Sequence, residues 1–84
     1  MELKRFYRTQ RDLAIALNQL IDSYWDNQIQ EDELIQNIKV IYENNSDKLL
    51  KDKEFTKVVL QQCGKRRLSI VSKILDISKE NSIV

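Results

Sequence analysis

With 84 residues, a net charge of +1, one glycine, no proline and one cysteine, the chain has material for one small core and none for an internal disulfide. Hydrophobic residues make up 42% and charged residues 32%, far from the low-hydrophobicity, high-charge balance of disordered chains. The scarcity of Gly and Pro argues against a β-rich fold, whose turns draw on both, and for an all-α single domain, a bundle of three to five helices over residues 1–84.

Residues 1–8 are basic and aromatic without helical period, and read as an N-terminal arm. They lack the apolar stretch of a secretory signal, and no run approaches the roughly 20 apolar residues that span a bilayer. The expected setting is the cytoplasm. Thr9 followed by Asp12 fits a capping box, so helix 1 should begin at Gln10 and end near Asn27. On a 100° wheel Leu13, Ala14, Ala16, Leu17, Leu20, Ile21, Tyr24 and Trp25 share one half, the core side. Ile15 falls among the polar residues, an incidental exposure.

Helix 2 should open at Glu31, because Glu31-Asp32-Glu33 places three negative charges where the helix dipole favours them. Leu34, Ile35, Ile38, Ile41 and Tyr42 form its stripe, with Ile29 positioned to staple onto Leu34. Asn44-Asn45, which tolerate left-handed backbone, should stop it. Ser46 to Leu50 reads as a short helical turn, and Asp52 as the cap of helix 3, which carries Phe55, Val58, Val59, Leu60 and Cys63. A break is expected at Gly64, since one unbroken rod would spread its apolar residues around most of its girth. Helix 4, from Lys65 to about Ser78, has Leu68, Ile70, Val71, Ile74, Leu75 and Ile77 across nearly half its surface, more than one neighbour needs. The tail, residues 79–84, should fray. The expected core is Leu13, Leu17, Leu20, Tyr24, Leu34, Ile38, Ile41, Phe55, Val59, Leu68, Val71 and Leu75.

The small net charge conceals segregation. Residues 1–11 carry +3, residues 12–47 carry −7, residues 48–73 carry +6 and residues 74–84 carry −1. Such halves can neutralise each other within the fold or across a dimer, or offer a basic surface to an acidic partner. Lys65, Arg66 and Arg67 open helix 4, where the dipole disfavours cations by a few tenths of a kcal/mol each. An anion, a carboxylate from the acidic half, or an unbroken helix would account for them. Lys65, Arg66, Ser69 and Lys73 share the solvent side, which makes helix 3, Gly64 and helix 4 a loose helix-turn-helix candidate.

The chemistry of an enzyme is missing. There is no histidine, and a single cysteine without one has neither an activating partner nor the companions for a metal site. Cys63 suits a half-buried core position. Glu31, Asp32 and Glu33 are consecutive and point apart, so they serve a helix start better than a catalytic pair. Tyr24, Trp25 and Tyr42 lie on core faces, whereas stacking platforms for nucleic acid need exposed rings. No catalytic residue, cofactor or metal is expected.

Four stretches, Tyr7-Arg-Thr-Gln-Arg-Asp-Leu-Ala, Tyr24-Trp-Asp-Asn, Ile41-Tyr-Glu-Asn-Asn and Gly64-Lys-Arg-Arg-Leu, resemble a family of small uncharacterised proteins of Gram-positive bacteria and their phages or prophages. The resemblance covers most of the chain. It implies a cytoplasmic setting and a phage link, and supplies no catalytic residues.

The functional expectation is a non-enzymatic protein-interaction module, a small phage-type modulator that docks on a host or phage protein or on a second copy of itself. The alternative is a DNA- or RNA-binding regulator. Candidate partner- or anion-binding residues are Lys65, Arg66, Arg67 and Lys73, with Arg5 and Arg8 of the arm.

Overall fold

A computed structural model describes residues 5–52 and 54–75. The expectations for residues 1–4, for the last turn of helix 4 and for the tail lie outside this range. The described chain is mostly helical, with α1 at Gln10–Trp25, α2 at Glu31–Leu49 and α3 at Lys57–Leu75, and a small antiparallel pair of strands, β1 at Leu50–Lys51 and β2 at Glu54–Phe55.

Thr9 has extended backbone and its side chain accepts from the Asp12 N–H, which fixes the start of α1 as the capping pattern requires. The other end is a Schellman turn. Asn27 takes a positive φ of 61° and its N–H donates to the Tyr24 carbonyl, while the Gln28 N–H reaches back to Ser23. The short connection sends α2 back along α1, as neighbouring helices with short loops do. Ile29 and Leu34, at the two staple positions of α2, are both buried in the core.

At Asn45 the backbone of α2 leaves helical geometry (φ −139°, ψ 30°). The expectation of a left-handed stop is therefore corrected to a kink at negative φ, between the helical and extended regions. Its cause lies in the side chains: Asn44 donates to the Val40 carbonyl at 2.8 Å and Asn45 to the Ile41 carbonyl at 2.9 Å, four residues back, a pattern that bends helices. Residues 46–49 complete the helix.

The largest departure from an all-α chain follows. Leu50 pairs with Phe55 and Lys51 with Glu54, and Asp52 adopts a φ of 54° between them. Asp52 is thus a turn residue and not the cap of the next helix. Asp tolerates the left-handed region because its short side chain can hydrogen-bond locally, so this turn needs no glycine. Leu50 and Phe55, opposite each other across the ladder, both pack on the core. Thr56, buried, ties the strands to α2: its N–H donates to Leu49 and its hydroxyl to Lys48.

The break at Gly64 is present as expected. Within α3, Gly64 has φ 82° and ψ 167°, a region that is essentially glycine's alone, and it separates residues 57–63 from residues 65–75. The core runs through all three helices, from Leu13, Leu17, Leu20 and Ile21 through Ile38, Ile41 and Leu49 to Val59, Leu68 and Val71. Tyr24, Phe55 and Leu75 of the expected core lie partly buried at its edge.

Candidate interaction surface

The seam between α1 and α3 carries the polar contacts that decide where the candidate residues go. Three contacts, one per turn of α1, cross the seam on either side of Gly64. The Cys63 thiol meets the Ala14 carbonyl at 3.6 Å, the Asn18 amide donates to the Gln62 carbonyl at 2.9 Å, and Arg67 reaches Asp22. Beside the break at Gly64 the carbonyls of residues 62 and 63 accept from side chains: Asn18 donates to the first, and the Arg67 Nη1 donates to the Cys63 carbonyl at 3.2 Å.

Arg67 is therefore a structural residue rather than a free anion-binding one. Its Nε and Nη2 hold both oxygens of Asp22 at 2.9–3.0 Å, the bidentate fork that guanidinium and carboxylate favour. Of the explanations for three cations at a helix start, a carboxylate from the acidic half is the one realised for Arg67.

Arg66 is accounted for by an aromatic ring. Its guanidinium carbon lies 5.6 Å from the centre of the Trp25 ring, and that of Arg67 lies 5.8 Å away, within reach of a cation–π attraction. Trp25 itself is 42% exposed, which corrects its placement on the core side. It is the last residue of α1, where the helix runs out beyond the cover of its neighbours, and wheel position alone does not register where cover ends.

The candidates thus fall into separate groups. Lys65, Arg66 and Lys73 are exposed, Lys65 and Lys73 standing two turns apart, about 12 Å along the helix. Arg5 and Arg8 are exposed as well, but at the opposite end of α1, a helix of 16 residues that spans about 24 Å. The structure does not bring them to the Trp25 end.

The segment bearing Arg5 and Arg8 is held in place. Asn45, fully buried, accepts from the Tyr7 N–H at 3.0 Å and donates to the Arg5 carbonyl at 2.6 Å. The arm is docked at the kink, with Tyr7 partly buried against the core. Two adjacent asparagines at the end of a helical stripe are the sequence trace of this clasp.

The surplus apolar arc expected on helix 4 is largely absorbed, since Ile70, Ile74 and Leu75 pack against the core. Among the described residues the exposed large hydrophobics are Phe6, Ile15, Trp25 and Leu60. Cys63 is buried, and desolvation, partly opposed by Arg67, pushes its thiol up to about 11, which suits a packing residue. Among the described residues no group of His, Cys, Asp and Glu could hold a metal ion, and no helix is long and apolar enough to cross a membrane.

Fold and surface together define a small helical domain with an exposed Trp–Arg corner. The chain belongs to a family of conserved hypothetical proteins, whose model matches residues 4–76. No curated protein and no solved structure matches the chain.

Proposed function

We propose that the chain is a non-enzymatic protein-interaction module that docks through the corner formed by Trp25, Arg66 and Lys65. The observation that carries this reading is the exposed Trp25 ring with Arg66 laid over it. Tryptophan and arginine are the residues most enriched at binding hot spots, and a guanidinium already resting on a ring loses little freedom when a partner arrives. A cytoplasmic modulator of a Gram-positive bacterium or its phage would need no more than such a corner.

The exposed stripe of Lys65, Arg66 and Lys73 supports a second reading, binding of DNA or RNA. The chain's near-neutral balance, with a net charge of +1 and a pI near 7.8, favours the protein reading, because nucleic-acid domains are as a rule strongly basic. Asp26, exposed and next to Trp25 in the chain, weighs the same way.

The test compares proteins and nucleic acids retained from the source cell by the wild type, by Trp25→Ser, by Arg66→Glu and by the hairpin control Lys51→Glu. A protein retained by the wild type and the control and lost by both corner variants, or self-retention with that pattern, supports docking. Nucleic acid retained in that pattern and released steeply with salt replaces it with the second reading. Identical retention by all four chains removes the corner from either role.

A further inference from the structure

We infer that the partner at this corner is a second copy of the same chain, related to the first by a two-fold axis beside Trp25; the inference rests on the docking reading above. The charge segregation is the starting point. Among the described residues one ion pair, Arg67–Asp22, joins the acidic and basic parts of the chain. Most of the remaining charge among the described residues faces solvent outside any ion pair, so direct pairing within the fold does not explain the segregation.

Both signs of charge meet at one end of the molecule. Arg66 lies over the exposed Trp25 ring and Lys65, its neighbour in the chain, is exposed, and the short turn after Trp25 leads directly to Glu31, Asp32 and Glu33, all exposed at the start of α2. One end therefore holds cations, an exposed aromatic ring and carboxylates. An isologous interface requires such a self-complementary patch, in which residue i meets j and j meets i. A two-fold axis there sets Lys65 and Arg66 of each copy against Glu31 and Glu33 of the other, counting every charge contact twice. It also brings the two Trp25 rings toward the axis, where water exclusion strengthens the surrounding pairs. With a net charge of +1, the two copies carry almost no overall repulsion.

Sedimentation velocity over a concentration series tests this with three chains: the wild type, the double variant Lys65→Glu/Arg66→Glu, and the double variant Glu31→Lys/Glu33→Lys. The wild type should dimerise at low salt and dissociate toward 1 M, where the Debye length falls to about 3 Å. Emission of Trp25, the only tryptophan, should shift to the blue with dimerisation. Each variant alone should weaken the dimer at least tenfold while keeping the helical circular dichroism of the wild type. Mixed in equal amounts they should dimerise again, because every like-charge contact becomes an opposite-charge one in the mixed pair. A wild type that stays monomeric at every concentration at low salt overturns the inference, as does a variant that dimerises like the wild type or a mixture that stays monomeric. The docking reading is judged separately by the retention experiment: a foreign protein lost by both corner variants, with a monomeric wild type, keeps that reading and removes the second copy.

Discussion

Arg67 grips the carboxylate of Asp22 through three hydrogen bonds of 2.9–3.0 Å across the seam between α1 and α3. The same guanidinium closes the carbonyl of Cys63 and lies near the Trp25 ring. One side chain thus answers to an acid, a backbone carbonyl and an aromatic face, and its value exceeds that of the ion pair. The pair is partly exposed, at 29% and 47% for the two side chains, so by itself it contributes at most about 1 kcal/mol. Arg67→Ala should lower unfolding free energy in urea by about 1–2 kcal/mol, since it also reopens the Cys63 carbonyl. Asp22→Asn should cost less, about 0.5 kcal/mol. Equal losses in the two variants would show that the carbonyl contact contributes nothing.

Asn45 is the stronger single determinant, for it is fully buried and joined to three backbone groups, two of them on the arm. Asn45→Ala leaves those groups without their partner, and a loss of about 2–3 kcal/mol in urea unfolding is expected. Early hydrogen exchange at the Tyr7 amide should accompany it. Wild-type protection at that amide in the variant would mean that the arm docks by its aromatic contacts alone.

Asn45→Asp tests the same clasp through pH. A carboxylate there would be fully buried and would face the carbonyls of Arg5 and Ile41, which now accept from the amide; these outweigh the single Tyr7 N–H that favours the charged form and raise its folded-state pKa. A group so raised stabilises most while protonated, so the variant should gain stability relative to wild type as pH falls through the acidic range. A difference between the two chains that does not change with pH would argue against that geometry.

Gly64 has a φ of +82° with open space where a Cβ would stand, so the penalty for a side chain is conformational and not steric. Gly64→Ala should cost about 1–3 kcal/mol. A synthetic chain with D-alanine at this position should match or exceed wild-type stability, because its mirror-image preference fits the backbone and narrows the unfolded ensemble. Equal destabilisation by the two enantiomers would point to packing as the cause.

Cys63 supplies a prediction at high pH. Burial raises its thiol from 9.0 to about 11, so the fold favours the neutral form. The corresponding stability is fully present below about pH 9 and is lost as pH rises toward 11. Cys63→Ala should flatten the stability profile in that window and leave it unchanged at neutral pH apart from a constant offset. Reaction of the native thiol with alkylating reagents should follow opening of the α1/α3 seam. Labelling at the rate of a free thiol would place Cys63 at the surface instead.

The helices were legible because their signals are local. Thr9 with Asp12, the acids of Glu31 to Glu33 and the apolar spacing of Leu13, Leu17, Leu20, Leu34, Ile38 and Ile41 act within one or two turns, and each appears where periodicity puts it. Gly64 belongs with them, since a lone glycine between two apolar stripes of different phase marks a break whatever packs around it. The hairpin was hidden because its turn uses Asp52 in place of glycine and its strands are two residues each. No alternation can show itself over so short a run, and the paired Leu50 and Phe55 gain their stability from the core beneath them.

The amino-acid sequence by itself determined a mostly helical chain, the starts of α1 and α2, the break at Gly64 and the separation of acidic from basic segments, because all of these depend on neighbours along the chain. Only the tertiary structure decided what the basic residues do. Arg67 is committed to Asp22, 45 positions away, Arg5 and Arg8 sit at the far end of α1, and Trp25 stands in the open beneath Arg66. Those outcomes rest on which helix ends meet, and that is set by the packing of a core whose members come from all three helices.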